Sequence, residues 1–377
     1  MKTNGLVRCA ALALSVALAT ANFAEDAVDS ISESVSTSFS ESLTASDTAD
    51  ASSGSLLDEA NCNCCCRGSR FWFAGAEATM LQANVRSGGL LTASFSDTTA
   101  PGVSTIAFRD GDGINKLGVA PRLWIGRQLT QNWGIVARYW DLTVAEKQFP
   151  QQNPAIPSTG TNFATFEERN TARLYAADLE LMRSFYTLGW KIDALGGVRR
   201  AHIDCTSDFL AFGVFTTGNF INLTLQNGFS FDGVGGTGGL LGRRQIGNLP
   251  LQFLIGGRFS YLSGHTDSFA RADGAVASSP SAPLVGAGTV SRNESPATAT
   301  IGEFQTGLQL DYPLAVIPAS AFLRTSFEYQ NWIIHGKPTG GVGFGGTIGE
   351  ITTNSFASGG LGRANLAGVS IATGINW

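Results

Sequence analysis

From residue 70 onward the apolar residues recur at every second position, the period of strands whose two faces meet different surroundings. Leu117, Val119, Leu123, Ile125 and Leu129 alternate with Gly118, Ala120, Arg122, Trp124, Gly126 and Gln128. Trp190, Ile192, Ala194 and Val198 oppose Lys191, Asp193 and Arg199, and Leu251, Phe253, Ile255, Phe259 and Tyr261 oppose Gln252, Arg258 and Ser260. The same rule runs through Phe304 to Tyr312 and Leu323 to Gln330. It predicts ten strands, near 70–82, 116–129, 132–145, 170–185, 187–203, 225–245, 249–264, 299–312, 319–334 and 363–377. Long connections (83–115, 146–169, 204–224, 265–298 and 335–362) alternate with short ones (Thr130-Gln131, Tyr186, 246–248 and Pro313 to Pro318). Short turns at one end and long loops at the other are the pattern of a transmembrane β-barrel of the outer-membrane type. An even strand count puts both barrel ends on the periplasmic side.

A soluble β-sandwich also alternates and also turns on Gly and Pro. Three observations favour the barrel. Strands of about 13 to 17 residues exceed the usual five or six of a globular sheet and suit a tilted membrane crossing. Aromatic residues recur near segment ends (Trp72, Trp133, Trp140, Trp190, Tyr261, Tyr312 and Trp332), where an interfacial girdle would place them. The final strand closes on Trp377 and resembles the terminal signal read by barrel-assembly machinery. The expected fold is therefore all-β, an antiparallel up-and-down transmembrane barrel of about ten strands (eight to twelve) over 70–377.

Composition narrows the class. Only 15% of the 377 residues are charged, 43% are apolar, and 46 are Gly. Past the first 21 residues no uncharged apolar run reaches 18, so no transmembrane helix is expected. A net charge of -5 and a pI near 5.3 argue against a nucleic-acid partner, which needs a basic face. Lys2 and Arg8 precede the apolar run from Cys9 to Ala19, and Ala19 and Ala21 frame a cleavage site, so 1–21 reads as a signal peptide and the destination as the cell outer membrane. Residues 22–69 read as a disordered leader: 22–61 hold nine acidic residues and no Lys or Arg. Beyond residue 61, 23 basic residues face 21 acidic ones. The leader ends in a cluster of Cys62, Cys64, Cys65 and Cys66. Four thiols this close could take a soft metal such as Cu(I), but structural zinc sites space their pairs across a longer loop. Disulfides within the cluster, to a neighbouring chain or to the distant Cys205 are the favoured chemistry, and no metal or cofactor is expected.

Phe231-Asp-Gly-Val-Gly-Gly-Thr-Gly-Gly-Leu-Leu-Gly-Arg243, followed by Pro250 to Arg258, resembles the family of Legionella-type major outer-membrane, pore-forming proteins. Phe71 to Glu77 and Phe322 to Trp332 resemble the same family. Gly236 stands where that family often has Pro, and the leader and Cys cluster lie outside its pattern. The resemblance implies an outer-membrane barrel that forms a channel and performs no chemistry of its own.

If the apolar face meets lipid, the opposite face lines the lumen. The predicted lining is Glu77, Arg122, Arg138, Asp178, Glu180, Lys191, Asp193, Arg199, Asp232, Arg258, Glu303, Asp311, Arg324 and Glu328. Such mixed charge either creates a transverse field that selects small hydrophilic solutes, or zips into ion pairs that fill a narrow barrel. Ten strands lie between the filled eight-stranded barrels and the open pores of 16 to 18. Asp110-Gly-Asp112 and His202-Ile-Asp204 fall near predicted strand ends and are loosely similar to the carboxylate and His pairs of omptin proteases, although there the pair runs Asp then His. A D-G-D tripeptide is more simply a turn, and no Gly-x-Ser-x-Gly, Walker or H-E-x-x-H motif occurs. The sequence therefore reads as a non-enzymatic barrel. Its expected partners are the bilayer, the barrel-assembly machinery through Trp377, and small solutes; passive passage is the first reading and a filled structural barrel the second.

Overall fold

The structure, a computed structural model, describes residues 71–86, 90–97, 108–109, 113–148, 161–215, 220–277, 285–314, 319–337, 342–348, 351–358 and 362–377. The proposed signal peptide, acidic leader and Cys cluster lie outside these residues. Fourteen strands follow in chain order: β1 (Trp72–Arg86), β2 (Leu90–Asp97), β3 (Phe108–Arg109), β4 (Ile114–Gln128), β5 (Trp133–Gln148), β6 (Thr161–Thr187), β7 (Trp190–Phe215), β8 (Phe220–Gln245), β9 (Leu251–Ala277), β10 (Val285–Leu314), β11 (Ala319–His335), β12 (Val342–Ile348), β13 (Ile351–Ser358) and β14 (Arg363–Asn376). Ten of them close into an antiparallel barrel in the order β1-β14-β11-β10-β9-β8-β7-β6-β5-β4. β1 completes the ring by pairing with both β14 and β4. Two hydrogen bonds fasten the seam at its end: the Trp72 N–H donates to the Trp377 carbonyl at 2.7 Å, and the Trp377 N–H to the Trp72 carbonyl at 2.9 Å. Every backbone donor along a closed ring has a neighbour, which removes the edges that would otherwise invite aggregation.

One end of the barrel carries tight turns. Leu188 (φ 49°) and Gly189 (φ 75°) form the two-residue link from β6 to β7, with both residues left-handed as a type I′ hairpin requires. Gly247 (φ 57°) turns the chain between β8 and β9. Near this end the outer wall is apolar. Leu181, Val198, Phe259, Leu323 and Ile371 are each about half exposed although they sit in mid-strand. Trp133, Tyr186 and Tyr312 ring this band on the turn side, and Tyr139, Tyr261 and Tyr329 stand exposed on its other side. A wall of exposed apolar residues between two sets of aromatic side chains is the kind of surface that suits a bilayer.

Away from the turns the barrel continues beyond this band. β6 to β10 are 26 to 30 residues long, against the roughly 9–11 needed to cross a bilayer. Over this extension the alternation keeps its phase and reverses its chemistry. On β7 the outward residues become Arg200, His202, Asp204 and Asp208, while Ala201, Ile203, Cys205 and Phe209 are buried inside. On β9 Leu262, Ala270 and Ala272 point in, and Arg271 points out. Ion pairs between neighbouring strands cover the outer wall: Arg173 to Asp141 at 2.8 Å, Arg200 to Asp232 at 2.9 Å, and Arg292 to Asp267. The expected long connections 204–224 and 265–298 are thus mostly strand, because the sequence-based strand ends fall where the lipid-type alternation stops rather than where pairing stops. Two other expected loops contribute a second, four-stranded sheet in the order β12-β13-β2-β3. It packs on the extended ends of β8, β9 and β10.

Candidate functional site

Inside the half of the barrel whose outer wall is apolar, ten charged side chains from eight strands meet in a belt. Five are arginines (Arg122, Arg138, Arg199, Arg258 and Arg324) and five are carboxylates (Glu77, Asp178, Glu180, Glu303 and Glu328), so the belt is neutral as a whole. Antiparallel alternation aims each of them inward, and the guanidiniums are long enough to reach past neighbouring strands. Arg199 on β7 grips Asp178 with two nitrogens, at 2.6 and 2.9 Å, and reaches Glu303 on β10 at 2.5 Å. Arg258 on β9 donates to Asp178 at 3.0 Å and to Glu180 at 3.1 Å, both on β6. On the other side of the lumen Arg122 on β4 holds Glu328 on β11 with both terminal nitrogens, one of them at 2.9 Å. Arg324 on β11 donates to Glu77 on β1 at 2.8 Å. Forked Arg–carboxylate pairing of this kind fixes geometry as well as charge. Apart from Arg199 and Asp178, which sit opposite each other on the neighbouring β7 and β6, these pairs tie together strands that are not neighbours in the ring, so the belt braces the lumen crosswise.

Directly beyond the belt, away from the turns, the inward rows become apolar. Arg199 is followed by Ala201 and Ile203, Arg258 by Ser260 and Leu262, and Glu303 is preceded by Ile301 and Ala299, all buried. Leu81, Leu142, Leu174, Phe229, Phe231 and Leu366 fill the same layer. Trp140 and Trp332 meet across it with ring centroids 6.0 Å apart. Their indole N–H groups donate to Thr79 Oγ1 (3.3 Å) and Gln330 Oε1 (3.0 Å), which removes the penalty for burying them.

On the turn side of the belt lies a cavity of about 420 Å³. Its wall includes Phe71, Phe73, Trp124, Gln128, Lys191, Asp193, Arg243, Phe322 and Asn376, together with the belt's Glu77, Arg122, Arg138, Arg258, Glu303, Arg324 and Glu328. Near the mouth Asp193 accepts from Ser184 Oγ at 2.6 Å and pairs with Arg243. Asp311 accepts from Gln252 at 2.5 Å and Gln309 at 2.8 Å.

Thirteen of the fourteen predicted lining residues face the interior. Ten form the belt, and Lys191, Asp193 and Asp311 stand nearer the mouth. Asp232 is the exception: it alternates with the buried Phe231, points out of the barrel and pairs with Arg200. β8 carries glycine on both faces from 233 to 242, so its alternation has no contrast and its phase is unreadable there. Val234 and Leu240, both exposed on the lipid side, hold the missing information, since they put even-numbered residues outside. The same correction brings Arg243 to the lumen, which the sequence reading missed.

His202 stacks on Tyr175 with centroids 5.1 Å apart on the outer wall, and its Nδ1 lies 3.6 Å from Asp232. Asp110 and Asp112 lie outside the described residues. Cys205 carries a free thiol buried in the apolar layer, and that burial pushes its pKa up, so the neutral thiol persists. Its candidate partners Cys62, Cys64, Cys65 and Cys66 lie outside the described residues. Among the described residues no group of three His, Cys, Asp or Glu side chains is placed to hold a metal ion.

No family model matches the sequence, and no curated protein does. Among solved structures the chain is similar to the outer-membrane protease OmpT from Escherichia coli, with 11% identity, 81% of this chain and 96% of that chain covered, and a TM-score of 0.32. It is also similar to the P. putida toluene transporter TodX, with 8% identity, 82% and 89% covered, and a TM-score of 0.28. Likeness at this level carries no argument about activity.

Proposed function

We propose that this protein is an outer-membrane barrel with a closed lumen, which serves as a structural or surface-contact element and raises a filled β-cylinder out of the bilayer. The observation that carries the reading is the pair of stacked layers in the lumen. The belt satisfies its charges across the lumen rather than leaving them to water, and the layer behind it is mostly apolar, its two buried tryptophans already engaging Thr79 and Gln330. A path for hydrophilic solutes needs a continuous hydrated route, and neither layer supplies one.

Passive passage of small solutes, the reading implied by the resemblance to the Legionella-type pore-forming family, has its own support in the charge-lined cavity of about 420 Å³. Single-channel recording in a planar bilayer separates the two. The refolded chain, shown to be folded by heat-modifiable gel mobility, is expected to leave the bilayer silent at the voltages where porins conduct. Reproducible conductance steps from the unaltered chain would overturn the closed reading and establish the pore.

A further inference from the structure

The cavity on the turn side of the belt has a donor surplus at one spot. Arg138 makes a single ion pair, to Glu180 at 3.8 Å, and Arg324 uses one nitrogen on Glu77 while its buried Nε has no partner. A guanidinium carries five N–H donors in a planar fork suited to a carboxylate. Arg122 and Arg199 use that fork in full, whereas Arg138 and Arg324 do not. Both stand at the same indole. Trp124 is the cross-strand neighbour of Arg138, and the Arg324 guanidinium lies over its ring at 5.1 Å. Phe322 stacks on Trp124 with centroids 6.3 Å apart and extends the apolar wall. Beside this group the buried Glu77 Oε1 has no donor, because Arg122 and Arg324 both address Oε2. One spot thus lacks an acceptor, lacks a donor next to it, and offers a flat apolar wall.

We infer that this cavity binds a small amphoteric organic acid with a flat apolar body. Its carboxylate seats on Arg138 and Arg324, its hydrogen-bond donor on Glu77 Oε1, and its body against Trp124 and Phe322. The volume lies within the range of small-molecule sites, and a few converging polar groups on an apolar wall are what give such a site orientation. The wall includes Phe71, Gln128 and Asn376 next to the short turns, so the ligand enters from the turn end.

The test is isothermal titration of the full chain in phospholipid nanodiscs, which reads occupancy rather than current and so fails or succeeds independently of the closed-lumen reading. L-phenylalanine is the probe, because it matches the three features and does not partition into lipid. 3-Phenylpropanoate lacks the donor and 2-phenylethylamine lacks the carboxylate. One saturable site per barrel is expected for phenylalanine, with phenylpropanoate at least threefold weaker and phenylethylamine at least tenfold weaker. Arg138→Gln, whose only ion pair is long, is expected to fold and to weaken phenylalanine binding at least tenfold. Absence of saturable binding, an amine that binds as tightly as the amino acid, phenylpropanoate as tight as phenylalanine, or unchanged affinity in a folded Arg138→Gln barrel would each overturn the inference. The three ligand comparisons use the unaltered chain and stand even if the variant misfolds.

Discussion

Arg258 shows at single-residue scale what a buried charge does in this lumen. Its guanidinium serves Asp178 at 3.0 Å, Glu180 at 3.1 Å and Glu303 at 3.6 Å, three carboxylates from two other strands. Removing one partner of a buried pair strands the other charge in a low dielectric, at a cost of about 3–5 kcal/mol. Arg258→Ala is therefore expected to lower the urea unfolding free energy of the refolded barrel by about that much, read by tryptophan fluorescence. Arg258→Lys should recover only part of the loss, since an ammonium cannot fork between carboxylates. Arg173→Ala, on the solvated outer wall, should leave the midpoint unchanged within error. Full stability in Arg258→Ala would show that the belt adds nothing. Arg258 was legible as a lining residue because Phe253, Ile255, Phe259 and Tyr261 fix the phase around it. Asp232 was not, because its glycine neighbours give the strand two equivalent faces.

At the scale of the element, one strand has to satisfy two solvents. On the membrane reading, β14 and the lower part of β9 turn apolar residues to lipid, and the upper part of β9 turns polar residues to water while its inward face becomes apolar. The cost of a charge on the outer wall should track this change. Ile371→Arg, mid-strand and half exposed on the lipid face, is expected to destabilise the barrel by about 2–4 kcal/mol. Ser263→Arg, exposed just past Tyr261, is expected to cost about 0–1 kcal/mol. Unfolding titrations in lipid vesicles check the contrast, and equal costs would remove the band from this position. The existence and order of all ten barrel strands were legible in the alternation. Their upper halves were not, because the loss of lipid-type alternation looks the same in sequence whether a strand ends or merely leaves the membrane.

At the scale of the whole molecule the proposed closed lumen has the belt and the apolar layer acting in series, so opening one is expected to leave the other shut. Arg258→Ala alone is expected to remain silent in planar bilayers, whereas Arg258→Ala combined with Trp140→Ala and Trp332→Ala is expected to pass ions. Single-channel recording checks both, and a conducting Arg258→Ala barrel would show that the apolar layer is no barrier. The same arrangement lets side chains span the lumen of a ten-stranded barrel: arginines reach across the width, and paired tryptophans occupy the level behind them.

The period-two pattern specified the strands, their order and thirteen inward-facing polar residues, and with the alternating connection lengths, strand lengths and aromatic positions it pointed to a closed antiparallel barrel and the end that carries the short turns, because these are local properties of the chain. Tertiary structure alone decided which guanidinium meets which carboxylate, that a charged belt and an apolar layer stack in the lumen, and that Arg138, Arg324 and Glu77 converge on one indole. Those outcomes depend on the ring order and on reach across it. Arg199 and Glu303 are 104 positions apart in sequence and in contact in space, and no local pattern encodes such a pair.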